Sequence, residues 1–176
     1  MGPSGPSLSV THVPRGNIVS SEYRIAVTGK VSATPSEVFL IVTDPKMHIE
    51  IDGSGMLEAA PDAKRLEAAG DTFEIAMDRE PLGDIPMGKY KVLNTVTRIV
   101  PNELLEWNVG SREHGAFGHV YGWEIAAVSA DESQVTNYCE WSGISEAARD
   151  RFPIVPRAMM EKSVEKLTAL VAGSSQ

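Results

Sequence analysis

A chain of 176 residues with 42% apolar and 23% charged side chains is long enough for one substantial core, and that composition excludes global disorder and fibrous repeats. Its 16 Lys and Arg against 24 Asp and Glu give a formal charge of -8 with no basic run, which disfavours nucleic acid and anionic membrane surfaces as partners. Cys139 is the only cysteine, so an intrachain disulfide and a cysteine-built zinc site are excluded, and a reducing, cytoplasmic setting is expected.

In chain order, residues 1–19 hold Gly, Pro and Ser without apolar anchors and are expected to form a flexible tail. The same stretch has neither a basic n-region nor an apolar h-region, so no signal peptide is expected there. The folded domain is expected over 20–172, with 173–176 as a short C-terminal tail. No apolar run reaches bilayer length, so no membrane insertion is expected.

Tyr23, Ile25 and Val27 alternate with Arg24, Ala26 and Thr28, which predicts a half-buried strand from about Glu22 to Val31. Thr34-Pro35-Ser36-Glu37 then offers a capping hydroxyl, a proline at the first helical position and an acid in the first turn. Val38, Phe39, Ile41 and Val42 complete a short helix, and Asp44-Pro45 ends it and starts a second through Met47 and His48.

Beyond Gly53 the pattern becomes strand after strand: Ser54 to Ala60, Asp71 to Asp78, Lys89 to Val100, Leu104 to Val109, His119 to Val128 and Gln134 to Ser142. Ala68-Ala69-Gly70, Pro101-Asn102-Glu103 and Ser129 to Ser133 are short connectors, whereas Pro81 to Met87 and Gly110 to Gly118 are expected as longer loops. After Pro153 and Pro156, Met160, Ser163, Val164, Leu167, Leu170 and Val171 recur at helical spacing and predict a closing amphipathic helix of about four turns.

One strand, two short helices, six further strands and a long last helix is the helix-grip order. Over about Ser20 to Val171 the sequence resembles the START-like, or SRPBCC, superfamily, which includes polyketide cyclase/dehydrase-like proteins and lipid-transfer domains. The stretches that carry the likeness are Ala33-Thr34-Pro35-Ser36-Glu37-Val38-Phe39, Thr43-Asp44-Pro45, Ile51-Asp52-Gly53-Ser54-Gly55, Tyr90 to Thr97, Gly118-His119-Val120-Tyr121 and Trp141-Ser142-Gly143-Ile144. The resemblance implies an α+β fold, with a seven-stranded antiparallel sheet curled around the C-terminal helix and an internal cavity. It implies no cofactor.

Strand parity predicts which side chains face that interior. The third strand offers Phe73, Ile75 and Met77, and the fourth Tyr90, Val92, Asn94 and Val96. Leu105, Trp107 and Val109 follow on the fifth, then His119, Tyr121, Trp123 and Ile125 on the sixth. The seventh offers Val135, Asn137, Cys139 and Trp141, and Met160, Val164 and Leu167 of the last helix form the lid. Any one of the aromatics and methionines is also readable as ordinary core, and Asn94, His119 and Tyr121 are readable as polar groups that satisfy one another.

His48 is expected at the cavity mouth or on an exposed loop, and His114 with Arg112 in a gate or a solvated loop. The histidines lack zinc-motif spacing, so no metal is expected; nucleophile-elbow, phosphate-loop and dinucleotide motifs are absent. Cys139, inside a strand with no cation beside it, is expected to be inert.

The function expected is binding, transport or sequestration of a hydrophobic small molecule such as a lipid, polyketide or other secondary metabolite, with self-resistance as a variant. The alternative is a cyclase/dehydratase-type enzyme using His119, Tyr121 and His48 as acid-base groups, without metal or nucleotide. A chaperone-activating interaction role is a third reading. Monomer and homodimer are both compatible with the sequence.

Overall fold

The computed structural model describes residues 21–174, so the tail expected over 1–19 lies outside the described residues. The capping signals act as their chemistry dictates. Thr34 Oγ1 accepts from Glu37 N at 3.3 Å while the Glu37 carboxylate accepts from Thr34 N at 2.7 Å, which starts α1 (Pro35–Val42). Asp44 accepts from Lys46 N at 3.0 Å and starts α2 (Pro45–Ile51).

Seven strands follow the predicted order: β1 (Arg24–Val31), β2 (Leu57–Ala59), β3 (Thr72–Asp78), β4 (Lys89–Val100), β5 (Leu104–Ser111), β6 (Gly115–Ala127) and β7 (Ser133–Glu140). They form one antiparallel sheet in the order β1-β7-β6-β5-β4-β3-β2, curled as a half-barrel. A short helix, α3 (Glu146–Arg149), and the long α4 (Arg157–Gly173) complete the chain. The fold is therefore α+β and helix-grip-like, as the element order predicts.

Three boundaries depart from the sequence reading. β2 is shorter than expected because Asp52 gathers the preceding residues into a turn, accepting from Ser54 N at 2.9 Å, Ser54 Oγ at 2.7 Å and Leu57 N at 3.2 Å. The loop expected over 110–118 is a tight turn closed by Ser111 Oγ, which accepts from His114 N at 3.0 Å. Its glycines serve the ladder instead: a Cβ on Gly110 would collide with the Gly115 carbonyl across the strand pair. At the other end, α4 runs through Gly173, one residue into the tail expected to begin there.

α4 lays Met160, Val164, Leu167 and Val171 on the concave face over β1 and β7, where all four are buried. Gly29 of β1 makes room for this, since a Cβ there would stand 2.6 Å from Val164 Cγ1. The turn after α2 docks on the other flank of the helix. Gly53 N donates to Ser163 Oγ at 2.8 Å and Lys166 Nζ to the Asp52 carbonyl at 2.7 Å.

Gly53 lies so close to the α4 backbone that a Cβ would overlap the Met159 carbonyl and Ser163 N. Backbone on both sides leaves nothing flexible to yield. Gly53→Ala is therefore expected to destabilise the domain by about 1–3 kcal/mol, the ordinary range for overpacking, with a lowered denaturant midpoint as the readout.

Candidate functional site

α4 covers only the β1 and β7 end of the concave face. Beyond it, β3 to β6, α2, the start of α4 and the segment between β7 and α4 enclose a cavity of about 740 Å³. Strand alternation supplies its floor: Phe73, Ile75 and Met77 from β3, Tyr90, Val92 and Asn94 from β4, Trp107 and Val109 from β5, and His119, Tyr121 and Trp123 from β6. His48 and Ile51 of α2 and Met160 and Ser163 of α4 close it from above, with Ile144, Phe152 and Val155 along one side. Met87 and Phe117 also border it and are 49% and 45% exposed, which locates an opening between the β3–β4 loop and the β5–β6 hairpin.

The rings are mutually ordered. His48 meets the Phe73 ring edge-on at 5.4 Å and tilts over Trp107 at 5.0 Å, and Trp107 stacks on Tyr121 at 6.4 Å. His119 lies nearly parallel to Phe117 at 6.5 Å and against Phe152 at 4.9 Å. At the same corner the backbones of Gly118 and Gly143 cross, and a Cβ on either would stand 2.5 Å from the other's carbonyl oxygen.

Burial sets the ionisation of the wall. His48 Nε2 donates to the Val42 carbonyl at 2.6 Å, one of the free carbonyls at the end of α1, and burial lowers its pKa. Burial also lowers His119 to about 4. The Tyr121 hydroxyl and the Cys139 thiol are hydrogen-bonded; burial pushes the tyrosine well above its ordinary value and the cysteine up to about 12. All four groups are neutral at neutral pH.

One charge borders the cavity from a nearly buried position. The Arg79 guanidinium grips Asp84 with Nε to Oδ1 at 2.9 Å and Nη2 to Oδ2 at 2.6 Å, and this pair holds the Asp84 carboxyl at about 2. Asn137 is satisfied by the Gly122 carbonyl at 3.1 Å. Two wall atoms are not: Asn94 Oδ1 and His119 Nδ1 are buried without any hydrogen-bond partner. Among the described residues no three His, Cys, Asp or Glu side chains converge as a metal cluster would.

Eight residues expected to face the cavity lie elsewhere, and four of them, Val96, Leu105, Ile125 and Val135, are buried in the core. Val164 and Leu167 pack where α4 touches the sheet directly, so no space separates them from β1 and β7. Cys139 is fully buried under the Tyr121 hydroxyl, and Trp141 stacks on Phe152, which takes the cavity-facing position. The hydrogen bond weighed between His119 and Asn94 is not made. His48 is buried, not an exposed loop residue, and the proposed gate is absent: His114 is exposed in its turn while Arg112 pairs outward with Glu74 at 3.1 Å.

Sequence reasoning missed Arg79, Asp52, Ser163, Phe117 and the Ile144, Phe152 and Val155 wall. Parity reaches only regular strands, and these sit in turns, in a helix flank, in the segment around Pro153 or, for Phe117, at the irregular start of β6, where a loop is expected. The clue available was that segment's density of apolar residues without a period.

No family model matches the chain. It is 31% identical over 134 residues to Rv0088, an uncharacterised protein of Mycobacterium tuberculosis, and to MT0096 from another strain of that organism. The match takes in 76% of this chain and 52% of each relative, so the chain spans about half the length of the curated relatives it matches. Among solved structures it is similar to NE0264 from Nitrosomonas europaea, with a TM-score of 0.65 and 12% identity over 89% of this chain and 99% of that one. Ms6760 from Mycobacterium smegmatis gives a TM-score of 0.63 and 12% identity over 86% and 92%. These likenesses establish the fold. Among the described residues no helix is long and apolar enough to cross a membrane.

The His119 shift has a definite sign. An unfolded histidine takes up a proton near 6.5 and this one only near 4, so the unfolded chain binds more protons between those values. Stability falls as pH drops through that window, by about 2 kcal/mol from this group at pH 5, and His48 acts in the same direction. His119→Phe removes the proton site, so its denaturation free energy should lose about 2 kcal/mol less than wild type between pH 7 and pH 5; equal losses would refute the assignment.

Proposed function

We propose that this region of the protein is a START-like (SRPBCC) ligand-binding domain that holds a hydrophobic small molecule, such as a lipid, polyketide or other secondary metabolite, for transport or sequestration. The observation that carries the reading is the cavity of about 740 Å³, walled by Phe73, Tyr90, Trp107, Tyr121 and Trp123 with few polar points and an opening at Met87 and Phe117. Its size and lining match those of sites that enclose drug-sized molecules. Aromatic walls give large contact area at low entropic cost, and Met77, Met87 and Met160 adapt their shape to the guest.

The cyclase/dehydratase reading has less support. A general acid or base works best with a pKa near the operating pH, and burial moves His119 down and Tyr121 up, both away from it. No carboxylate is hydrogen-bonded to His119 to raise its basicity, and His48 Nε2 is committed to the Val42 carbonyl.

N-phenyl-1-naphthylamine, an uncharged apolar probe, is expected to bind saturably with a Kd in the micromolar range and to quench Trp107 and Trp123 fluorescence. Val109→Trp fills part of the space from the floor and should weaken that binding at least tenfold while thermal unfolding stays cooperative. No saturable binding by wild type, or binding indifferent to the filled cavity, would overturn the reading.

A further inference from the structure

The two unsatisfied atoms occupy one row of the sheet. Asn94 pairs with Val109, and Val109 in turn faces the bulge at 117–119, because its neighbours Asn108 and Gly110 pair with Val120 and Ala116. Asn94 and His119 therefore flank Val109 on either side, two strand spacings or about 10 Å apart at their Cα atoms. Both project into the cavity, and both are nearly inaccessible, at 3% and 7% exposure.

Buried polar atoms in folded proteins find partners, because leaving one without a hydrogen bond is costly. Here Asn94 Oδ1 and His119 Nδ1 have none from the protein, and they do not bond one another. The other buried polar side chains of the wall are spoken for: Asn137 by Gly122, His48 by Val42, Tyr121 by Cys139 and Arg79 by Asp84. Unfilled hydrogen-bonding capacity is thus concentrated in this one row, above an otherwise apolar floor.

We infer that the row recognises hydroxyl groups, and that the guest is a flat, mainly apolar molecule carrying at least one hydroxyl, a fused-ring phenol or alcohol instead of a plain hydrocarbon or acyl chain. This rests on the proposed binding function and names the ligand class for the same cavity. The ligand hydroxyl donates to Asn94 Oδ1, which as an amide oxygen can only accept. A second hydroxyl or carbonyl oxygen meets His119 Nδ1, whose uncharged ring donates or accepts according to which nitrogen holds the proton. A fused-ring diol offers one hydroxyl to each of the two. An anionic head group is not favoured at this row, because the nearly buried Arg79 guanidinium is already neutralised by Asp84 and Arg151 borders the cavity only from an exposed position.

The test compares naphthalene, 2-naphthol and 2,6-dihydroxynaphthalene as competitors of N-phenyl-1-naphthylamine on wild type, Asn94→Leu and His119→Phe. Wild type should bind the diol at least as tightly as naphthalene. Asn94→Leu should bind the diol at least tenfold more weakly than wild type does, with naphthalene changed less than threefold; His119→Phe, read in the same way, serves should the first variant fail to fold. Naphthalene binding more tightly than the diol to wild type, or variants that weaken both competitors equally or neither, would overturn the hydroxyl-reading row and leave the binding function standing. Failure of wild type to bind the probe or any competitor overturns the binding function and this inference with it.

Discussion

A seven-stranded sheet that curls into a half-barrel presents a concave apolar face wider than one helix, and everything else in the molecule answers to that mismatch. α4 is committed to the β1 and β7 end, where Gly29 lets Val164 press against the strand and Leu167 is fully enclosed. The rest of the face, from β3 to β6, has to be covered by shorter pieces: α2, the β3–β4 loop and the segment after β7. These pieces meet around a space without filling it. The cavity is thus a consequence of sheet curvature and helix placement, and the Gly53 contact with the α4 backbone ties the two roof pieces, α2 and α4, to one another.

Within that space the protein keeps hydrogen-bonding groups but suppresses their charge. Desolvation drives His48, His119, Tyr121 and Cys139 toward their neutral forms, since a low-dielectric wall penalises whichever form is ionised. Arg79 cannot be neutralised this way and is balanced by the two-pronged contact with Asp84. The result is a wall whose buried polar groups are uncharged or paired.

The sequence made the architecture legible because each element carries its own local signal. The Thr34 to Glu37 capping box, the Asp44 cap and the alternation from Lys89 to Val100 are satisfied by neighbours a few residues away, and these elements form as read. Parity likewise places Tyr90, Asn94, Trp107, His119 and Tyr121 on the concave face. Periodicity does not separate Cys139 and Trp141 after β6, or Val164 and Leu167 on α4, from the cavity wall, because it gives the face and says nothing of depth. Whether a concave residue meets open space or another side chain depends on where α4 and Phe152 come to rest, a long-range outcome. Arg79 and Asp84 escaped for a related reason: their pairing is a property of a loop conformation, and no periodicity announces it.

The crossing of Gly118 and Gly143 bears on how such a domain can diversify. Side chains around the cavity are replaceable one at a time, so its lining can change by small steps. At the corner beside Phe117 and Ile144, however, the backbone of β6 at Gly118 meets that of the turn at Gly143 with no room for a single added carbon on either. The cavity's outline on that side is therefore set by two segments that adjoin only in the folded state, whereas its side-chain lining is free to vary.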